Sequence, residues 1–151
     1  NPGALGTAVN VHPKFELGTR MKGAGGSEWV FVQASGAITG AGYAVVIDEA
    51  WQAAHITNTT GVFGQQVGVA GAAFADDDYG WVQVFGTCNI RVAASCAANA
   101  QIATTTTAGQ LDDAVGSGTK NLVGIALTTA NGGSAGNAEG VLTNPHVGAT
   151  N

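Results

Sequence analysis

The sequence predicts an all-β fold, a small antiparallel β-barrel or β-tulip-like domain with an extended N-terminal arm. Three observations carry this. Short runs alternate apolar and polar residues, the period of a strand with one buried face. Glycine-containing turns separate the runs at intervals of roughly 8 to 12 residues, as in sandwiches and barrels. Finally, the chain has only 5 Lys and Arg, so little charge is available to blunt exposed sheet edges, and a closed sheet would protect them.

At 151 residues the chain is long enough for one domain with its own core. A hydrophobic share of 45% argues against disorder. The charged share is 10%, far below the usual quarter, and glycine, alanine and threonine fill the gap. The resulting surface is neutral and smooth, suited to packing against many copies of a neighbour. The net charge is -5, and Lys14, Arg20, Lys22, Arg91 and Lys120 are too few to hold a phosphate backbone, so no nucleic-acid partner is expected. No apolar run approaches the ~18 residues of a membrane-spanning helix, so no membrane partner is expected either. Asn1-Pro-Gly-Ala-Leu5 lacks the charged start and apolar centre of a signal peptide. That suggests synthesis in a reducing compartment, with Cys88 and Cys96 as two small buried thiols; a disulfide across a turn is the alternative.

Residues 1–13 show neither period and read as an extended arm, ordered only where it lies on something else. Residues 14–145 read as a single β domain and 146–151 as a C-terminal tail. Lys14 to Lys22 alternates, with Phe15, Leu17, Thr19 and Met21 opposite Lys14, Glu16, Arg20 and Lys22. Gly23 to Gly26 turns the chain, and Ser27 to Ala34 returns as the second strand of a hairpin. Tyr43 to Ile47 is a short β-branched strand. Asp48 to Ile56 fits two helical turns or a turn followed by a strand; a helix this short is marginal, so turn and strand are preferred. Thr57 to Gly61 is a loop. A hairpin follows, from Gln66–Phe74 and Trp81–Phe85 around the acidic turn Asp76-Asp-Asp78-Tyr-Gly80, with Gly86 as its end. Next come a strand Asn89–Ala93, a helical turn or bend at Ser95–Ala100, a threonine-rich strand Gln101–Thr107 and a short strand Gln110–Asp112. Leu122–Thr129 is a strongly apolar strand, and Ala138–Thr143 is the last one, stopped by Asn144-Pro145.

Residues that hint at chemistry lack the company they would need. Gly132-Gly-Ser134-Ala-Gly136 matches the nucleophile-elbow pattern, and Glu139 and His146 follow in hydrolase order. The elbow requires a helix after the serine, and none follows. No catalytic residue is therefore expected. Asp76, Asp77 and Asp78 read as an acidic turn that caps backbone N–H groups, and Asp112-Asp113 reads the same way. His12, His55 and His146 are far apart, with no partner at metal-ligand spacing. No metal and no cofactor are expected. Trp29, Phe31, Trp81 and Phe85 are the expected core anchors.

Several segments together resemble small tailed-bacteriophage capsid decoration proteins, also called cement or head-stabilising proteins. They are Phe15-Glu-Leu-Gly-Thr-Arg20, Glu28 through Ile38, Val67-Gly-Val-Ala70, Ala75 through Gly86, and Thr105 through Asp112. The order of segments carries the likeness, which spans nearly the whole chain. The resemblance implies a virion protein without catalysis, assembled in the host cytoplasm onto the outside of an icosahedral shell. Its partner would be the major capsid protein, and it would be a homo-oligomer, with a trimer favoured. On this reading Leu5, Val9, Val11, Lys14, Arg20 and Lys22 face the capsid, and removal of residues 1–13 leaves the fold intact. The alternative is a head-surface carbohydrate-binding module for host attachment, using an exposed Trp51 or Tyr79.

Overall fold

In the computed structural model, residues 7–151 are described. The chain forms β1 (Arg20–Lys22), β2 (Glu28–Ala34), β3 (Ala44–Ile47), β4 (Gln52–His55) and β5 (Gln66–Ala70). It continues with β6 (Tyr79–Val92), β7 (Ala103–Thr104), β8 (Leu111–Asp112), β9 (Lys120–Leu127) and β10 (Gly136–Thr150). The one helical element among these residues is a 3₁₀ turn, Ala24–Gly26, between β1 and β2. Strands hold 46% of the chain, so the protein is all-β as expected.

The strands pair in the order β1-β2-β4-β3-β5-β10-β6-β8-β7-β9, and further pairings of β2 with β6, β5 with β6 and β10 with β9 bend the sheet into a ring-like form. Two closures share a wall. One runs β2-β4-β3-β5-β6 and the other β6-β8-β7-β9-β10. Most pairs are antiparallel; β2–β4 and β6–β8 are short parallel ones. Each closure has its own apolar interior. Val30, Val32, Ala34, Ile38, Phe74, Val82 and Val84 fill the first. Ile56, Ile90, Val92, Ile102, Leu111, Leu122, Leu127, Leu142 and Val147 fill the second. Strand β3 separates the two, because successive side chains point to opposite faces. Val45 and Ile47 enter the first interior, Ala44 and Val46 the second.

The long strands depart from the sequence expectation. Gly86 does not end a strand; β6 runs through it, with Gly86 at φ 95. Its first half feeds Val82 and Val84 to one interior, and its second half feeds Ile90 and Val92 to the other. A positive φ at this changeover bends the strand without stopping its ladder. Asn144-Pro145 does not end β10 either. Residues 146–150 continue it, pairing His146 with Val123, Val147 with Leu122 and Thr150 with Lys120. The register shifts between Leu142 and His146, and Asn144 takes φ 47. Pro145, with no N–H to donate, sits within this irregularity.

Other strands are shorter than expected, among them Gln66–Phe74, which ends at Ala70. The first strand begins only at Arg20, because Thr19 N–H donates to Glu16 O at 3.1 Å and closes a turn that breaks the alternation. The threonine-rich strand contracts to Ala103–Thr104, since the Thr105 hydroxyl turns back to donate to Thr107 O and Gln110 O. The hairpin β1–β2 and the turn-then-strand reading of Asp48–Ile56 are both seen. Among the described residues no helix is long and apolar enough to cross a membrane.

Candidate functional site

The described part of the arm is bound to the domain before it leaves the surface. Asn10 N–H donates to Tyr79 O at 2.8 Å and Tyr79 N–H to Asn10 O at 2.7 Å, an antiparallel bridge at the start of β6. Val9 is half-buried against the first interior. The chain then turns outward, and Val11 is 73% exposed. Phe15 is only partly covered: its ring meets Phe31 edge-on at 5.4 Å and Trp81 at 5.2 Å. Pro13, Lys14, Phe15, Leu17 and Tyr79 line a groove of about 570 Å³ there.

A second groove is lined by Trp51, whose indole lies against Gly18. A Cβ at Gly18 would run into the ring. Trp51 is held in a left-handed conformation, φ 61, by the turn it ends. Asp48 Oδ1 accepts from Ala50 N–H at 2.9 Å and Gln52 N–H at 2.8 Å, and Trp51 N–H donates to Asp48 O at 3.1 Å. Beyond the indole lies a groove of about 470 Å³, with Asp48, Glu49 and Trp51 on one side and Val62, Phe63, Gln65 and Gln66 on the other. The second wall is a tight turn. Gln65 N–H donates to Val62 O at 2.9 Å, Val62 N–H donates to Gln65 Oε1 at 3.2 Å, and Gly64 N–H donates to Val147 O at 2.7 Å. Val62 and Phe63 stand out of it, 63% and 78% exposed.

The predicted site residues separate. Leu5 lies outside the described residues. Val9 points into the domain, whereas Val11 and Lys14 are exposed beside the first groove. Arg20 and Lys22 share the outward face of β1, and Lys22 Nζ lies 3.5 Å from Glu28 Oε1. Lys14 precedes the Glu16–Thr19 turn, so the three cations do not form one strand face. Of the expected anchors, Phe31 and Trp81 are buried. Trp29 is half-buried and donates its Nε1–H to Ser27 Oγ at 3.1 Å. Phe85 is a correction: it is 37% exposed, because β6 turns that side outward just before Gly86. Val62 and Phe63 were missed. Their signal was an apolar pair enclosed by Gly61 and Gly64, too short to show a period.

Elsewhere the chemistry is local. Ser134 lies in an exposed loop, while Glu139 and His146 sit on β10 seven residues apart, roughly 23 Å at strand rise, and do not converge as a triad. Asp78 Oδ2 accepts from Ala75 N–H at 3.0 Å, the capping expected of that turn. Asp112 and Asp113 do more than expected, because their carboxylates and the Cys96 sulfur lie within 4.8 Å of one another. Asp113 Oδ2 accepts from Ala97 N–H at 3.1 Å and thereby ties the Cys96 loop to β8. Burial first, then the Asp113 charge, pushes the Cys96 thiol up to about 11, and burial pushes Cys88 up to about 12. Both cysteines are free thiols. His55 packs against Tyr43 at 5.5 Å, and its Nε2 accepts from Thr39 N–H at 3.2 Å. No family model and no curated protein matches the chain.

Proposed function

We propose that the protein is a structural virion component that binds the outer surface of an icosahedral phage head and stabilises contacts between major capsid subunits. The observation that carries this reading is the surface around the arm. Phe15 is exposed in one groove, Val62 and Phe63 in another, and Val11 stands exposed on the arm two residues before the first groove begins. Large apolar side chains left in water beside grooves mark places where another protein packs. The low charge of the chain suits dense symmetric packing, and many modest contacts over a lattice add by multivalency. Catalysis plays no part in this reading.

The test is co-sedimentation with capsids that lack the protein. Saturable binding in a fixed ratio to the major capsid protein is expected, a ratio matching local three-fold positions if the protein binds as a trimer. The exposed variants Val11→Glu and Lys14→Glu should lower occupancy without changing Tm. No pelleting of the wild-type protein at high micromolar concentration would overturn the proposal. The alternative, capture of a host glycan, has one observation in its favour: Trp51 and Tyr79 each line a groove.

A further inference from the structure

We infer that the groove between the Asp48–Trp51 turn and the Val62–Gln65 turn is a docking site for a cationic side chain, arginine or lysine, carried on an apolar segment of a partner protein. The inference concerns the chemistry of a partner and does not depend on that partner being a capsid.

The first argument is charge. Among the described residues no basic side chain lines the groove. Glu49 is exposed and makes no hydrogen bond or ion pair among the described residues, where the one ion pair is Lys22 with Glu28. Asp48 uses Oδ1 to hold its own turn, which leaves Oδ2 available. Two uncompensated carboxylates thus flank an indole, and a cation is attracted by both the charge and the ring face. Arginine fits best, since its planar guanidinium stacks on a ring while donating to a carboxylate.

The second argument is the opposite wall. Phe63 is the most exposed large apolar residue among the described ones, and Val62 ranks next after the arm's Val11. Hydrogen bonds fix the turn that presents them, so they cannot fold back into the interior. An apolar neighbour of the cation would cover them, and both walls are already set for it, which lowers the ordering cost of binding.

The experiment follows the Trp51 indole N–H by NMR while acetyl-Leu-Arg-Leu-amide is added. Its citrulline counterpart and chitotriose serve as parallel titrations. A saturable shift with the arginine peptide is expected, weakened by added salt and reduced about threefold to fivefold in affinity by Glu49→Gln. Phe63→Ser should weaken it as well. Glu49 and Phe63 are exposed, and an unchanged Tm for both variants excludes a folding defect. An equal response to the citrulline peptide, an unchanged affinity in Glu49→Gln, or a response to chitotriose alone would each overturn the proposal. The last result would make the groove a sugar platform.

Discussion

Gly124 carries a constraint that its neighbours on β9 do not. It takes φ 79, and a Cβ there would lie 2.6 Å from Thr143 O and 3.2 Å from Pro145 Cα. It is the partner surface that lets β10 carry a proline inside its ladder. Gly124→Ala should therefore lower stability by about 2–4 kcal/mol, read as a shifted denaturant midpoint with unchanged slope. Asp112 provides a residue-scale prediction with a pH signature. Burial first, then the side-chain hydrogen bond with Asp113, raises its carboxyl above the ordinary value of 3.8, against the lowering effect of the Asp113 backbone N–H. A raised acid binds its proton more readily in the folded state, so ionisation opposes folding. Asp112→Asn should consequently stabilise the protein at about pH 7, and the gain should shrink as pH falls through the folded-state value and vanish below the ordinary one. Its side-chain oxygen can still accept from Asp113 N–H, as Asp112 Oδ1 does at 2.9 Å. Denaturation curves at neutral pH and at about pH 3 make the comparison.

At the scale of elements, the arm is the clearest case of a segment whose role changes once its contacts are known. The Asn10–Tyr79 bridge and the packing of Val9 make residues 9 and 10 part of the domain. Deleting residues 1–13 should cost about 1–3 kcal/mol of stability while leaving the fold itself intact, and thermal unfolding would reveal it. Point changes at Val11 and Lys14 are the cleaner probes of binding. Strands β2 and β3 were legible because Val30, Val32, Val45 and Val46 fall on runs of β-branched and aromatic residues. The full lengths of β6 and β10 were not, because Gly86 and Pro145 read locally as stops. Only a partner strand can decide that a bend or a bulge continues instead. The candidate site divides the same way. Val11 stood out as an apolar residue on an aperiodic arm, and Lys14 as a charge at the start of the strand expected after it. The Val62–Phe63 wall did not, because its exposure depends on a turn closed from β10 by Val147.

At the scale of the molecule, two interiors share the walls β3, β5 and β6, so neither can open without exposing the other. A single cooperative transition is expected. Val45→Ala and Val46→Ala, which face opposite interiors, should each cost about 2 kcal/mol and shift one common midpoint. Trp81 packs with Phe31 on the face of β6 opposite Val82 and Val84, and Trp51 packs on the first interior, so both report on the walls of the first interior and not on the second. Coincident fluorescence and far-UV circular dichroism curves for Val46→Ala would establish the coupling, and separated curves would refute it. The placement of β10 also has a mechanical consequence. It lies between β6 and β9 and pairs with both along much of its length. Hydrogen bonds in such ladders run across the strands. A tensile force along β10 therefore loads both rows in shear, and they must fail together, whereas β1, three residues long at the sheet edge, can be peeled away one bond at a time. The direction in which a neighbour pulls on this protein decides how much force it withstands.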